Sequence, residues 1–195
     1  MTGRGYHHGD LRRALLAAAV DAINESGPAA LSLRQLARRA GVSHAAPQHH
    51  FGDKAGLLTA VARQGYELFA DALEQAGHDL LEVGVAYVRF ATGHPAHFQV
   101  MFQRSLYRAD DPQVTAARER ARRALAAGLR QRMPGGAEIT RVAVAAWSMV
   151  HGFATLWLGG VIPPDLGDDP AAAARDVIRL LFCGVEAPED PSPTG

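Results

Sequence analysis

The chain has 195 residues, 20 Lys plus Arg against 20 Asp plus Glu, 48% hydrophobic residues and one cysteine, Cys183. Zero net charge excludes a protein that coats nucleic acid by bulk charge, and equally a highly charged disordered chain. The lone cysteine excludes an intrachain disulfide framework and a cysteine-based zinc site. What remains is a soluble, cytoplasmic, globular protein of one ordinary domain or two small ones sharing a core.

The charge is unevenly placed. Residues 1–56 carry +3, from Arg4, Arg12, Arg13, Arg34, Arg38, Arg39 and Lys54 against Asp10, Asp21, Glu25 and Asp53, and the rest carries −3. A mildly basic head on an acidic body points to an anionic partner for the head. Met1 to Asp10 is polar and leads into an amphipathic segment, so no signal peptide is expected.

Every segment reads as helix, and Gly, Pro and Asp clusters mark the breaks. Leu11, Leu15, Ala18, Ala19, Ala22 and Ile23 form one stripe of a first helix, from about Asp10 to Glu25, closed by Gly27-Pro28. Ser32 with Gln35 has capping-box spacing, with Leu31 and Leu36 as its hydrophobic staple, and Gly41 stands where the second helix should end. Ser43 is the expected N-cap of a third, very short helix that ends near Phe51. Gly52-Asp53 breaks again, and Asp53 should cap a long fourth helix with the stripe Leu58, Val61, Ala62, Gly65, Phe69, Ala72, Leu73 and Ala76.

Five more helical segments follow. His78 to Thr92 is apolar nearly all round and should be central. Pro95 to Phe102 is short and aromatic. Asp111-Pro112 opens a helix to about Met133, with Val114, Ala117, Ala121, Ala124, Leu125 and Gly128 on one side and Arg118, Arg120, Arg122 and Arg123 on the other. Pro134-Gly135-Gly136 stops it. Ala137 to Leu158 contains most of the uncharged run Val142 to Ile162, 21 residues long. That length could span a bilayer, but His151, Ser148 and three glycines dilute it, so a helix buried on all sides within the protein is expected. Asp169-Pro170 opens the last helix, to about Gly184, and the Pro-rich acidic tail from Ala187 is expected to be disordered.

Function concentrates between Leu31 and His50. A helix, a tight Gly turn and a second helix within about 20 residues is helix-turn-helix spacing. The third helix is too short to stand alone, and its polar residues His44, Gln48 and His49 can face base edges. Helix N-termini offer N–H groups to phosphates. Lys54 lies in the first turn of the fourth helix, where the dipole disfavours a cation, and a phosphate is one reason for it.

The stretch SLRQLARRAGVSHAAPQHHFGDKAGLL, residues 32–58, closely resembles the signature of the TetR family of bacterial transcription regulators. The N-terminal YHHGDLRRALL and the segment WSMVHGFATL from Trp147 are similar to one subgroup with a Trp-His-Gly motif in its ligand domain. The resemblance implies an all-α homodimer of about nine helices. Residues 1–56 would form a helix-turn-helix DNA-binding head, with the motif at about 31–50. Residues 57–186 would form an effector-binding and dimerisation domain, and 187–195 a tail. DNA-facing candidates are Ser32, Arg34, Ser43, His44, Ala45, Gln48, His49 and Lys54. The chain departs from the family pattern at Gln48, where Tyr is usual, and at His49, where Arg or a similar residue is common.

The same residues carry plainer readings. Adjacent histidines such as His7-His8 and His49-His50 point about 100° apart on a helix, so no metal or other cofactor is expected. The arginines can be a solvated face. Tyr87, Phe98, Phe102, Trp147, His151 and Trp157 can be core, or together can border an apolar effector pocket. The reading is a DNA-binding, ligand-responsive regulator, a repressor of a palindromic operator in double-stranded DNA. A DNA-binding adaptor without a small-molecule site is the alternative, and a helical enzyme a weaker one: no G-x-S-x-G, P-loop or zinc pattern is present.

Overall fold

The structure, a computed structural model, describes residues 8–132 and 137–183. The His7-His8 pair, the Pro134-Gly135-Gly136 stop and the tail from Ala187 fall wholly or partly outside the described residues. Among those residues the fold is all-helical, with nine α-helices. They are α1 (His8–Ala30), α2 (Leu33–Arg39), α3 (Ala45–Phe51), α4 (Lys54–Gln75), α5 (Leu80–Gly93), α6 (Pro95–Met101), α7 (Pro112–Arg132), α8 (Ala137–Leu158) and α9 (Pro170–Cys183).

Local chemistry sets the boundaries. Gly27, at φ 75° and ψ 165°, breaks the α1 helix as Gly27-Pro28 suggested, and a last turn continues to Ala30. Three aspartates cap as expected. Asp53 accepts from the Gly56 N–H, Asp111 from those of Gln113 and Val114, and Asp169 from that of Ala171. Each satisfies N–H groups that have no partner inside the helix. Asp79, not anticipated, does the same for α5 through Leu81 and Glu82.

The helices α1 to α3 pack into a small head around Leu15, Leu16, Ile23, Leu31, Leu36 and Phe51, and the first turns of α4 complete it. The body is built on α4 and α5. The former packs most extensively on α7, the latter on α9 and α8. Tyr87, Val85 and Val88 on α5 are fully buried, so this helix is central as its composition required. Small residues let helices close. A Cβ at Gly128 of α7 would stand 2.3 Å from the His78 carbonyl oxygen.

The helix α8 corrects an expectation. Val150, Phe153 and Ala154 are buried, but Val144 (51%), Leu156 (50%) and Leu158 (41%) lie open to solvent. Its apolar composition runs all round, yet among the described residues no element covers the outer face. By length and composition alone, 139–158 is long and apolar enough to cross a membrane.

Candidate functional site

The head presents one polar surface. Gly41, at φ +65°, closes α2 in a Schellman arrangement. The Val42 N–H bonds the Ala37 carbonyl (3.0 Å) and the Gly41 N–H bonds that of Arg38 (3.3 Å). This turn sets α3 across α2 with Pro47 and Phe51 buried inward. Arg34, Ser43, His44, Ala45, Gln48 and His49 are exposed, and Ser32 and Lys54 half-buried. His44 and Gln48, four residues apart, share a face. His50 packs its ring on Phe51, 6.3 Å between centroids, as a structural histidine would.

Two capping expectations fail. Ser32 has the extended backbone of an N-cap, but its hydroxyl makes no capping bond. The box with Gln35 is therefore absent, and the staple leucines Leu31 and Leu36 are both buried without it. Helix α3 begins at Ala45 with His44 as N-cap, one residue later than Ser43 predicted. The shift explains Pro47: it is the third helical residue, and its missing N–H is one that no helix satisfies internally.

The cations of the head are partly engaged within the chain. Lys54 Nζ donates to the Ala29 carbonyl at 2.7 Å, tying the end of α1 to the start of α4. A reason for a lysine in that turn thus exists inside the chain. Arg39 forms a two-bond ion pair with Glu25 of α1, which holds that carboxyl below its ordinary pKa. Arg12 stacks over the Phe51 ring, 5.2 Å from its centroid.

Head and body are joined at two points. Asn24 of α1 accepts from the Ala96 N–H at the start of α6. At the start of α4, the N-cap Asp53 takes two bonds from the Arg108 guanidinium (2.8 and 3.0 Å), and Thr59 accepts from the Arg108 N–H (3.0 Å). Gly56 makes the join possible. A Cβ there would stand 2.0 Å from the Phe51 carbonyl oxygen and 2.7 Å from Arg108 Nη1.

In the body, five of the six aromatic and His candidates converge. Tyr87, Phe98, Phe102, Trp147 and His151 form one ring cluster, with Phe102 4.6 Å and Phe98 5.2 Å from the His151 ring. Trp147 Nε1–H donates to the Tyr87 hydroxyl (3.1 Å), and that hydroxyl lies 2.8 Å from His151 Nδ1. Indole is only a donor, so the Tyr87 oxygen accepts from it and directs its own proton to Nδ1. That leaves the His151 proton on Nε2. Burial pushes the Tyr87 pKa up and that of His151 down, so both stay neutral.

Beside this cluster a cavity of about 600 Å3 opens between α4, α5, α7 and α8. Phe102 and Trp147 line it. Tyr87, Phe98 and His151 stand behind that wall, where they fix the Trp147 ring. Trp157 is elsewhere, against Phe153 (5.9 Å). Ten residues from Trp147 is about 15 Å and some 280° round the helix, so it faces another way.

Sequence reasoning missed most of the lining: Tyr66, Phe69, Met101, Leu125, Ile139, Val150, and the arginines Arg104, Arg118 and Arg122. Two of these arginines, Arg118 and Arg122, lie opposite the apolar stripe of α7 in the sequence pattern. They sit one turn apart, and both line the cavity. Tyr66 and Tyr107 both donate to the Met101 carbonyl at 3.0 Å. His97, also unanticipated, is buried with Nε2 3.1 Å from Gln64 Oε1, and burial lowers its pKa to about 4.

A helix-turn-helix head with exposed polar α3 residues, joined to a helical body with an apolar cavity, defines a DNA-binding transcription regulator. Residues 15–61 match the family model "Bacterial regulatory proteins, tetR family", and 80–181 match "Tetracyclin repressor-like, C-terminal domain". The chain belongs to the TetR family, whose members are transcription regulators, not enzymes, and act on DNA operators as dimers.

Over 69 residues it is 45% identical to the HTH-type transcriptional regulator BetI of Klebsiella pneumoniae (strain 342), a match spanning 35% of each chain. A Rhodococcus sp. RHA1 structure of unknown function is 33% identical with a TM-score of 0.74, covering 94% of this chain and 99% of that one. PfmR of Thermus thermophilus, a TetR-family regulator, is 25% identical with a TM-score of 0.67, covering 89% of this chain and 99% of that one.

Proposed function

We propose that the protein is a homodimeric repressor that leaves its operator when a small molecule fills the body cavity. The observation that carries this reading is the 600 Å3 apolar cavity sharing α4 with the head. Tyr66 and Phe69 of α4 line the cavity, while Asp53 and Lys54 at its other end hold α3 and α1. A ligand that prefers one placement of α4 shifts the spacing of the two heads and so lowers operator affinity by linkage. The cavity favours this over the adaptor reading.

The division of labour is a head over 1–56 and a body over 57–186, at work in the cytoplasm. The dimer seam runs along the open face of α8, through Val144, Ser148, Gly152 and Leu156, and along α9. A Cβ at Gly152 would meet nothing within 4 Å in one protomer, so that position is open to a partner helix. Such a dimer places two α3 helices in successive major grooves, about 34–36 Å apart. Gln48 and His44 face base edges, with Ser32, Arg34, Ser43, Ala45, His49 and Lys54 around them on the backbone. The segment Trp147 to Leu156 supports placement in the Trp-His-Gly subgroup.

The test is selection of duplexes from a random pool by the full chain, followed by fluorescence anisotropy on the recovered site. A two-fold symmetric site with half-sites one helical turn or a small multiple apart is expected. Recovery of asymmetric or unrelated sequences would overturn the dimeric operator reading.

A further inference from the structure

We propose that the cavity's ligand is an amphipathic anion: an apolar body inside the cavity and a carboxylate head at its rim, held between Arg104 and Arg118. The inference rests on the effector reading above and adds the ligand's chemistry.

The lining has a one-sided charge. Its charged side chains are Arg104, Arg118 and Arg122, and no Asp or Glu lines it among the described residues. The remaining wall is almost wholly apolar, with Phe69, Leu125, Leu129 and Ile139 prominent. An uncharged apolar ligand would leave this positive rim unmatched, and a cationic one would meet like charge.

The three arginines are not equivalent. Arg122 is committed to Glu119 by two bonds of 2.8 and 2.9 Å. Arg120, also on α7, turns away to Asp71 and Glu74. Among the described residues Arg104 and Arg118 enter no ion pair, and Arg118 has only a long 3.4 Å bond to the Ala109 carbonyl. Both line the same cavity as Tyr66. The Tyr66 hydroxyl is already spent on the Met101 carbonyl and leaves the cations unneutralised. Arg104 is exposed and Arg118 half-buried, which puts the charge at the mouth and the hydrocarbon lining within. Two guanidinium side chains lining one cavity suit a carboxylate, a planar acceptor that takes several N–H bonds at once.

The position of Arg104 also gives the anion a route to the head. It opens the short 3-10 turn Arg104–Leu106, and Arg108 follows two residues after that turn. Arg108 is the residue that grips Asp53, the N-cap of α4, and Thr59 on it. A head group drawing Arg104 inward therefore pulls on the segment that holds the start of α4.

Calorimetry on the full chain tests the proposal with two matched probe sets. One is decanoate, decan-1-ol and decyltrimethylammonium; the other is naphthalene-2-carboxylate and 2-naphthylmethanol. The variants are Arg104→Gln and Arg118→Gln, with Arg118→Lys to restore charge and Arg123→Gln, exposed outside the cavity, as control. At least one carboxylate should bind ten- to a hundredfold more tightly than its alcohol, as charge-assisted bonds imply. Each Gln variant should remove most of that advantage and leave the alcohol's affinity alone; Arg118→Lys should recover part of it. Equal binding of acid and alcohol, or tighter binding of the cation, overturns the anionic assignment while the cavity stands as a site. Failure of every probe to bind overturns both. Carboxylate binding that leaves operator affinity unchanged keeps the anion site and overturns the effector reading.

Discussion

Asp53 performs two tasks that substitution can separate. Its Oδ1 caps α4 by accepting from the Gly56 N–H at 2.7 Å, and its carboxylate receives the two Arg108 bonds at 2.8 and 3.0 Å. A cap is worth about 0.5–2 kcal/mol, typically about 1. The ion pair is bidentate, but its side chains are 60% and 53% exposed, so solvent screening holds it to below about 1 kcal/mol. Asp53→Asn keeps a capping oxygen and loses the charge, so it should cost below about 1 kcal/mol, as should Arg108→Gln. Asp53→Ala loses both and should cost about 2 kcal/mol. Urea unfolding followed by circular dichroism reads these differences, and the Asp53→Asn/Arg108→Gln double variant should cost less than the sum of its parts. Operator anisotropy should fall further than stability for Arg108→Gln, because the head keeps its fold but loses one of its ties to the body. Equal costs for Asp53→Asn and Asp53→Ala, or a simply additive double variant, would refute this separation of cap and ion pair.

Lys54→Ala distinguishes a phosphate contact from the Ala29 tie: two phosphates per dimer lower the salt slope by about 1.8, or roughly twelvefold between 50 and 200 mM salt. A lowered melting temperature with an unchanged slope would leave only the tie. Gln48→Ala should cost about 1–3 kcal/mol on the best site and flatten discrimination at one symmetric pair of positions, whereas Gln48→Tyr should regain only general affinity. Uniform weakening over a set of single-base variants would count against base reading. Gly152→Leu should weaken the dimer, measured by sedimentation equilibrium; an unchanged association constant moves the seam off α8. For His97 the folded pKa of about 4 lies below the ordinary 6.5, so the unfolded chain takes up the proton first. Stability should be full above about pH 6.5 and fall, by up to roughly 3 kcal/mol, as the pH drops towards 4. His97→Gln should flatten this window, and superimposable pH profiles would refute it.

What the sequence determined was local. Helix stripes, the aspartate caps at 53, 111 and 169 and the Gly41 turn depend on neighbours within about four residues, and all stand in the structure. The exposed set on α3 was legible for the same reason, since a short helix with Pro47 and Phe51 on one face must show His44 and Gln48 on the other. Even the exclusion of Trp157 was available in the helical angle from Trp147. Tertiary structure decided the rest, because it depends on which helix faces meet. Arg108 and Asp53 are 55 residues apart, and Tyr87 and His151 are 64 apart. Nothing in the α7 pattern separates Arg118, turned to the cavity, from Arg120, turned to α4, since both are arginines beside an apolar stripe. The open face of α8 is of the same kind: hydropathy gives the number of apolar positions, but only the packed neighbours decide which of them one chain can cover.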